Sequence, residues 1–173
     1  MTYTSTMETL IRFIADGLVI IIIVLSVAVV LYQGRKGGRY DVYVRIAMAG
    51  ITAYVIAKYM GSAWQPEQLR PFERLGVDPG AAYLNNPGFP SDHALIAFFL
   101  VGAVWYATRH RALTITVLCL TLIMCGGRVL ALVHTPVDII GSLMAATVGA
   151  MWYYDPGYAK KSSRIYMAKP AKK

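Results

Sequence analysis

The sequence predicts an all-α integral membrane bundle of about five transmembrane helices, and three observations carry that prediction. Of the 173 residues, 57% are apolar and 15% are charged, against about 25% charged in an ordinary soluble domain. The charges are segregated, leaving uncharged runs at 17–34, 46–57, 93–108, 112–127 and 139–154. The basic residues are themselves gathered at a few places between those runs, as in a chain sorted across a bilayer.

Crossing about 30 Å of hydrocarbon takes roughly 20 apolar residues. The run at 17–33 reaches that length once 13–16 extend it, and forms the first span. It reads as a retained anchor: Glu8, Arg12 and Asp16 stand where a secretory leader has a basic region, and Gly34, Arg35 and Lys36 follow it in place of a small-residue cleavage site. Segment 46–64 contains one charge, Lys58, and forms the second span. Segments 91–108, 112–133 and 137–154 hold only Asp92, Arg128 and Asp138 between them and form the third to fifth. Cys119 and Cys125 lie in the fourth, about 9 Å apart along a helix axis, too far for a mutual disulfide, and read as packing residues. Gly141, Ala145 and Gly149 recur at four-residue spacing and give the fifth span a face for close helix packing.

Between the second and third spans, the 26 residues at 65–90 hold five of the eight prolines together with Gly76, Gly80 and Gly88. That composition excludes regular helix and predicts a structured loop. A loop of this length in so small a chain is ordinarily functional.

In a soluble chain the net charge of +8 would suggest a nucleic-acid partner. Here twelve of the seventeen basic residues fall in three places: Arg35, Lys36, Arg39 and Arg45 after the first span, Arg109 and Arg111 between the third and fourth, and Lys160, Lys161, Arg164, Lys169, Lys172 and Lys173 in the tail. Five alternating helices put all three on one side, so the positive-inside rule accounts for the charge and no nucleic acid is implied. The expected organisation is a single multi-pass domain over 1–158 in the plasma membrane, with its N-terminus and loop 65–90 outside, and a basic cytoplasmic tail over 159–173 able to rest on anionic lipid head groups.

Five basic residues lie outside those clusters: Arg12, Lys58, Arg70, Arg74 and Arg128. Two of them accompany other reactive groups. Arg70-Pro71 stands in the outer loop, Pro90-Ser91-Asp92-His93 closes it, and Arg128, His134 and Asp138 straddle the junction of spans four and five, all at the outer interface. Pro136 suits the first turn of span five, which puts Asp138 in that turn and His134 just ahead, within reach of its carboxylate. A carboxylate behind an imidazole fixes its tautomer and raises its basicity, leaving the other ring nitrogen free to attack an electrophile. Arg128 offers a planar fork for phosphate oxygens, Ser91 is a natural N-cap at a helix start that attracts anions, and His93 can protonate a leaving oxygen. Taken singly, each has a structural explanation: a cap for Ser91, loop solvation for Arg70 and Arg74, a snorkelling helix end for Arg128. Two histidines, two arginines and two aspartates on one membrane face are harder to explain that way, because polar groups near lipid are costly. No three- or four-ligand metal constellation is left over once these roles are assigned, and no cofactor is implied.

These residues resemble the type 2 phosphatidic acid phosphatases, membrane lipid phosphatases with a histidine-based site, over roughly 58–142. The family's three signatures are a lysine separated by six residues from Arg-Pro, then Pro-Ser-Gly-His, then Ser-Arg followed at fixed spacing by His and Asp. Here they stand as Arg70-Pro71, Pro90-Ser91-Asp92-His93 and Gly127-Arg128-x5-His134-x3-Asp138, continued by Thr135-Pro136-Val137-Asp138-Ile139-Ile140-Gly141. The resemblance implies that His134 forms a phosphohistidine, Asp138 orients it, His93 is the general acid, and Arg70, Ser91 and Arg128 hold phosphate.

Three positions depart from the pattern. Ala63 stands where the lysine is expected, with Lys58 five residues earlier as the alternative phosphate ligand; Gly127 replaces serine; and Asp92 replaces glycine. The Pro-Ser-Asp-His variant resembles bacterial undecaprenyl pyrophosphate phosphatases. A diphosphate brings extra negative charge to be accommodated near Asp92 by Arg70, Arg74 or Lys58, while Asp92 is expected to stay ionised beside protonated His93. The implied activity is hydrolysis of undecaprenyl diphosphate to the monophosphate. Alternatives are a phosphatase of phosphatidylglycerol phosphate, phosphatidic acid or a polyprenyl-phosphosugar phosphate, a lipid phosphotransferase, and, least favoured, a non-catalytic membrane scaffold. Partners beyond the substrate and membrane lipids, including the oligomeric state, are left open.

Overall fold

The computed structural model describes residues 5–37, 40–86 and 88–154. Arg39, Pro87 and the basic tail lie outside the described residues. Helix α1 (Ser5–Arg12) passes through one π-helical turn (Phe13–Gly17) into α2 (Leu18–Gly37). Helix α3 (Tyr40–Ala63) leads to the loop and its short helix α4 (Pro71–Leu75). Then come α5 (Asp92–Thr108), α6 (Arg111–Leu130) and α7 (Pro136–Gly149), the last closing in a 3-10 turn (Ala150–Tyr153). No strand occurs among the described residues.

The fold is therefore an all-α membrane bundle, with an apolar helical segment at each of the five places where the sequence predicts a span. Three of them, Ser5–Tyr32, Tyr40–Ala63 and Arg111–Leu130, are each long and apolar enough to cross a bilayer alone. Helix α5 has 17 residues, and α7 has 14 before its 3-10 turn. The large apolar side chains exposed on the bundle, among them Ile20, Val24, Ile51, Val55, Ile115 and Leu122, make an outer surface suited to lipid.

Helix α5 sits centrally, packed against α2, α3, α6 and α7, and small residues on it, Ala94, Ala97 and Ala103, let its neighbours approach. The small-residue face expected on the fifth span is buried: a Cβ at Gly149 would collide with Ala49 and Ala53 of α3, and one at Gly141 with the Phe89 ring. At the far end of the bundle from the loop, Arg45 donates to the carbonyls of Trp152 and Tyr154 at 3.1 and 3.0 Å, and Trp152 Nε1 donates to Thr52 at 2.9 Å.

The loop departs from expectation in one respect. Its proline-rich composition argues against regular helix, yet Pro71 opens a helical turn, because proline is compatible with the first helical position, where no N–H is needed. Gly76 ends the turn at φ +64. The first helix also begins earlier than its apolar run, at Ser5.

Candidate active site

The junction of α6 and α7 sets the site's centre. Thr135 caps α7, its Oγ1 accepting from Asp138 N–H at 3.4 Å, and Asp138 Oδ2 accepts in return from Thr135 N–H at 2.7 Å. That reciprocal cap aims Asp138 back over the turn, where the same Oδ2 stands 3.3 Å from His134 Nδ1. An ionised carboxylate can only accept, so Nδ1 carries the hydrogen and Nε2 keeps its lone pair. His134 and Asp138 are 4% and 6% exposed. Burial holds the His134 pKa below its ordinary value; the Asp138 hydrogen bond opposes this, and the positive charges of Arg128 and Arg70 reinforce it. The sequence argument for raised basicity thus names a real contribution that desolvation outweighs.

Arg128, at the end of α6, is 1% exposed. Its Nη1 donates to Asp16 Oδ1 at 2.6 Å, and Asp16 Oδ2 accepts from Ala82 N–H at 2.8 Å. The buried Arg128 Nε–H has no hydrogen-bond partner among the described residues. Sequence reasoning counted Asp16 only as a charge near the chain start. The signal was present: an acid at the edge of an apolar span needs a cation, and Arg128 was among the basic residues without a partner.

Arg70, 4% exposed, organises the loop. It donates from Nη1 to Val133 O at 2.5 Å, from Nε to Asn86 O at 3.1 Å, and from Nη2 to Leu84 O at 3.1 Å and Asn86 Oδ1 at 2.8 Å. Four of its five N–H donors are engaged, so one remains for a phosphate oxygen. Gly88, at φ +95, lets the chain cross the guanidinium, since a Cβ there would lie 3.0 Å from Arg70 Cζ. Arg74 instead pairs with Glu67 at 2.8 Å on the exposed side of the loop.

Ser91 is the predicted N-cap of α5, fully buried, with Oγ accepting from Ala94 N–H at 3.5 Å. Its N–H donates to Asp138 O at 3.3 Å and its carbonyl accepts from Ser142 Oγ at 2.8 Å, which locks the start of α5 to α7. Asp92 pairs with Lys58 Nζ at 3.0 Å. The carboxylate expected to support His93 therefore reaches toward α3 instead, and no side-chain hydrogen bond fixes the His93 ring among the described residues.

These groups surround a cavity of about 160 Å³ whose walls include Arg70, Tyr83, Asn86, Asp92, His93, Arg128 and His134. Ser91 stands behind that wall. A second cavity of about 140 Å³ adjoins it, sharing Asn86, Gly88, Pro90 and Asp92 and adding Lys58, Gln65 and Phe89. Among the described residues no group of three His, Cys, Asp or Glu side chains is placed to hold a metal ion.

The chain is 29% identical over 147 residues to YbjG of Escherichia coli (strain K12), which carries the provisional name of an undecaprenyl-diphosphatase; the match covers 84% of this chain and 71% of YbjG. No solved structure matches. The family model for the PAP2 superfamily matches residues 41–161, a stretch containing every site residue named above except Asp16. A helical membrane bundle with this match belongs to the PAP2 superfamily, and its class is that of a membrane lipid phosphatase.

Proposed function

We propose that the protein hydrolyses a polyprenyl diphosphate, undecaprenyl diphosphate to its monophosphate, through a phosphohistidine on His134. The observation that carries this reading is the His134–Asp138 arrangement: Nδ1 is tied back by the carboxylate, so the nucleophilic lone pair belongs to Nε2, in a cavity shared with Arg128 and His93. Nε2 attacks the terminal phosphorus, and the bond from phosphorus to the bridging oxygen breaks. His93 protonates the departing lipid monophosphate, and water then releases inorganic phosphate from His134. Arg128, with the remaining Arg70 donor, offsets charge on the transferring phosphoryl oxygens, where a preorganised donor in a dry site is most effective.

The diphosphate is favoured by the adjoining cavity. Its Lys58–Asp92 pair stands half-exposed at the border with the catalytic cavity, so Lys58 can meet the second phosphate by exchanging one anion for another. The name that YbjG carries points to the same substrate class. The site faces the outer leaflet in this reading, opposite the basic clusters.

The test is phosphate release from undecaprenyl diphosphate, phosphatidic acid and phosphatidylglycerol phosphate by the purified protein. The diphosphate is expected to give the highest kcat/KM, and His134→Ala to lose about six orders of magnitude in kcat. A higher kcat/KM for phosphatidic acid would overturn the substrate, and an active His134→Ala would overturn the nucleophile.

A further inference from the structure

We propose that Asp16 is a positioning residue for phosphoryl transfer, holding the Arg128 guanidinium and the cavity wall at Ala82 in one register. The inference rests on the reading of Arg128 as a ligand of the transferring phosphoryl group.

A guanidinium as buried as Arg128 is costly without a counter-charge, and the partner it has comes from the other end of the sequence, 112 residues away. Asp16 lies in the π-helical turn that joins α1 to α2, an irregularity found frequently at functional sites. Both carboxylate oxygens are engaged: Oδ1 with Arg128 at 2.6 Å and Oδ2 with Ala82 N–H at 2.8 Å. Ala82 and Arg128 both line the catalytic cavity. One side chain therefore ties the first helix to two walls of the site without itself lining it.

The chain is shaped to bring this carboxylate close. At Gly127 a Cβ would stand 2.6 Å from Ile14 Cγ2 and 3.0 Å from Ala15 N, so any side chain there would push the π-helical turn off α6. Gly127 occupies the place where the family signature has serine. The missing hydroxyl is thus accompanied by a close helix approach that supplies Arg128 with an acceptor from another element. Arg128 keeps its Nη2 donors and its unpartnered Nε–H beyond that contact.

A misplacement of about 1 Å in such a group lowers the rate of the chemical step by about 100-fold. The purified full chain is assayed with undecaprenyl diphosphate, phosphatidic acid and phosphatidylglycerol phosphate, and by vanadate binding, as wild type, Asp16→Asn, Asp16→Glu and Gly127→Ser. Asparagine preserves the shape and can still accept from Ala82 but removes the charge that holds Arg128. Asp16→Asn is expected to lose about 100-fold in kcat with little change in KM, and to weaken vanadate binding. Asp16→Glu retains more turnover than Asp16→Asn, because charge matters more here than shape. Gly127→Ser loses kcat even though it restores the family residue. Wild-type kcat in Asp16→Asn, or asparagine outperforming glutamate, would overturn the positioning role alone. A wild type that cleaves none of the three lipids and binds no vanadate would instead overturn the phosphatase reading and this inference with it.

Discussion

At His134 two influences oppose each other. The Asp138 carboxylate favours the imidazolium, while burial and the positive charges of Arg128 and Arg70 favour the neutral ring, and the neutral form prevails. A nucleophile must be neutral, so the sign of the shift suits the proposed role. A histidine with a lowered pKa loses its proton at a lower pH than a free one; it stays reactive below the ordinary value of about 6.5 and fails only as pH falls through its own lowered value. The acidic limb of kcat/KM, which reports the free enzyme, is therefore expected below pH 6.5. A limb at or above 6.5 would contradict the environment described here. The residues of this centre were legible because they are local: His134 and Asp138 lie four apart, and Pro136 fixes the helix start between them. Asp16 was legible only in part: an acid at the edge of an apolar span calls for a cation, but no pattern in one sequence selects Arg128, 112 residues away, as that cation. The Lys58–Asp92 pair was half legible, as two unexplained charges whose pairing depends on how α3 crosses the start of α5.

On the scale of an element, α7 shows how a cap and a catalytic arrangement share atoms. Asp138 is the third residue of its helix, and one of its oxygens serves both Thr135 N–H and His134 Nδ1. Thr135→Ala removes only the hydroxyl end of the cap. It should destabilise the protein by about 1 kcal/mol, read as a lowered Tm in detergent, with kcat nearly kept because the backbone N–H still holds Asp138. Asp138→Ala removes cap and orienter together and should lose about four orders of magnitude in kcat. If Thr135→Ala cost as much activity as Asp138→Ala, the hydroxyl and not the backbone N–H would be what orients the carboxylate. Helix termini followed the same logic in the sequence. The Ser91 cap and the Pro136 start were readable from residue type, whereas the continuation of the first helix back to Ser5 was not, because Glu8, Arg12 and Asp16 interrupt the apolar run. In a membrane protein such charges end the lipid-facing stretch without ending the helix. Helix α4 was hidden for a related reason: proline density argues against helix except in a first turn, where Pro71 lies.

Across the whole molecule, the two ends of the bundle differ in chemistry. Asp16, Lys58, His93, Arg128 and His134 converge at one end with the loop. Arg45, Arg109 and Arg111 belong to the other, where α3 and α6 begin and α5 ends, and Arg45 closes on the carbonyls after α7. Basic residues flanking spans are retained on the cytoplasmic side, whereas Arg128, Lys58, Arg74 and Arg70 at the site end are engaged by Asp16, Asp92, Glu67 and backbone carbonyls, so these four are accounted for by local contacts and do not set topology. The site should accordingly open outward and the tail face the cytoplasm. In a background with Cys119 and Cys125 replaced by serine, Asp78→Cys, at an exposed position of the loop, should react with a membrane-impermeant maleimide on intact cells, and a tag placed after Lys173 should resist external protease until the membrane is opened. The reverse pattern, a protected loop with a digestible tail, would place the site inside and would require its lipid phosphate in the inner leaflet, whereas protection of both would mean that the loop is covered by another molecule or folded back against the bundle.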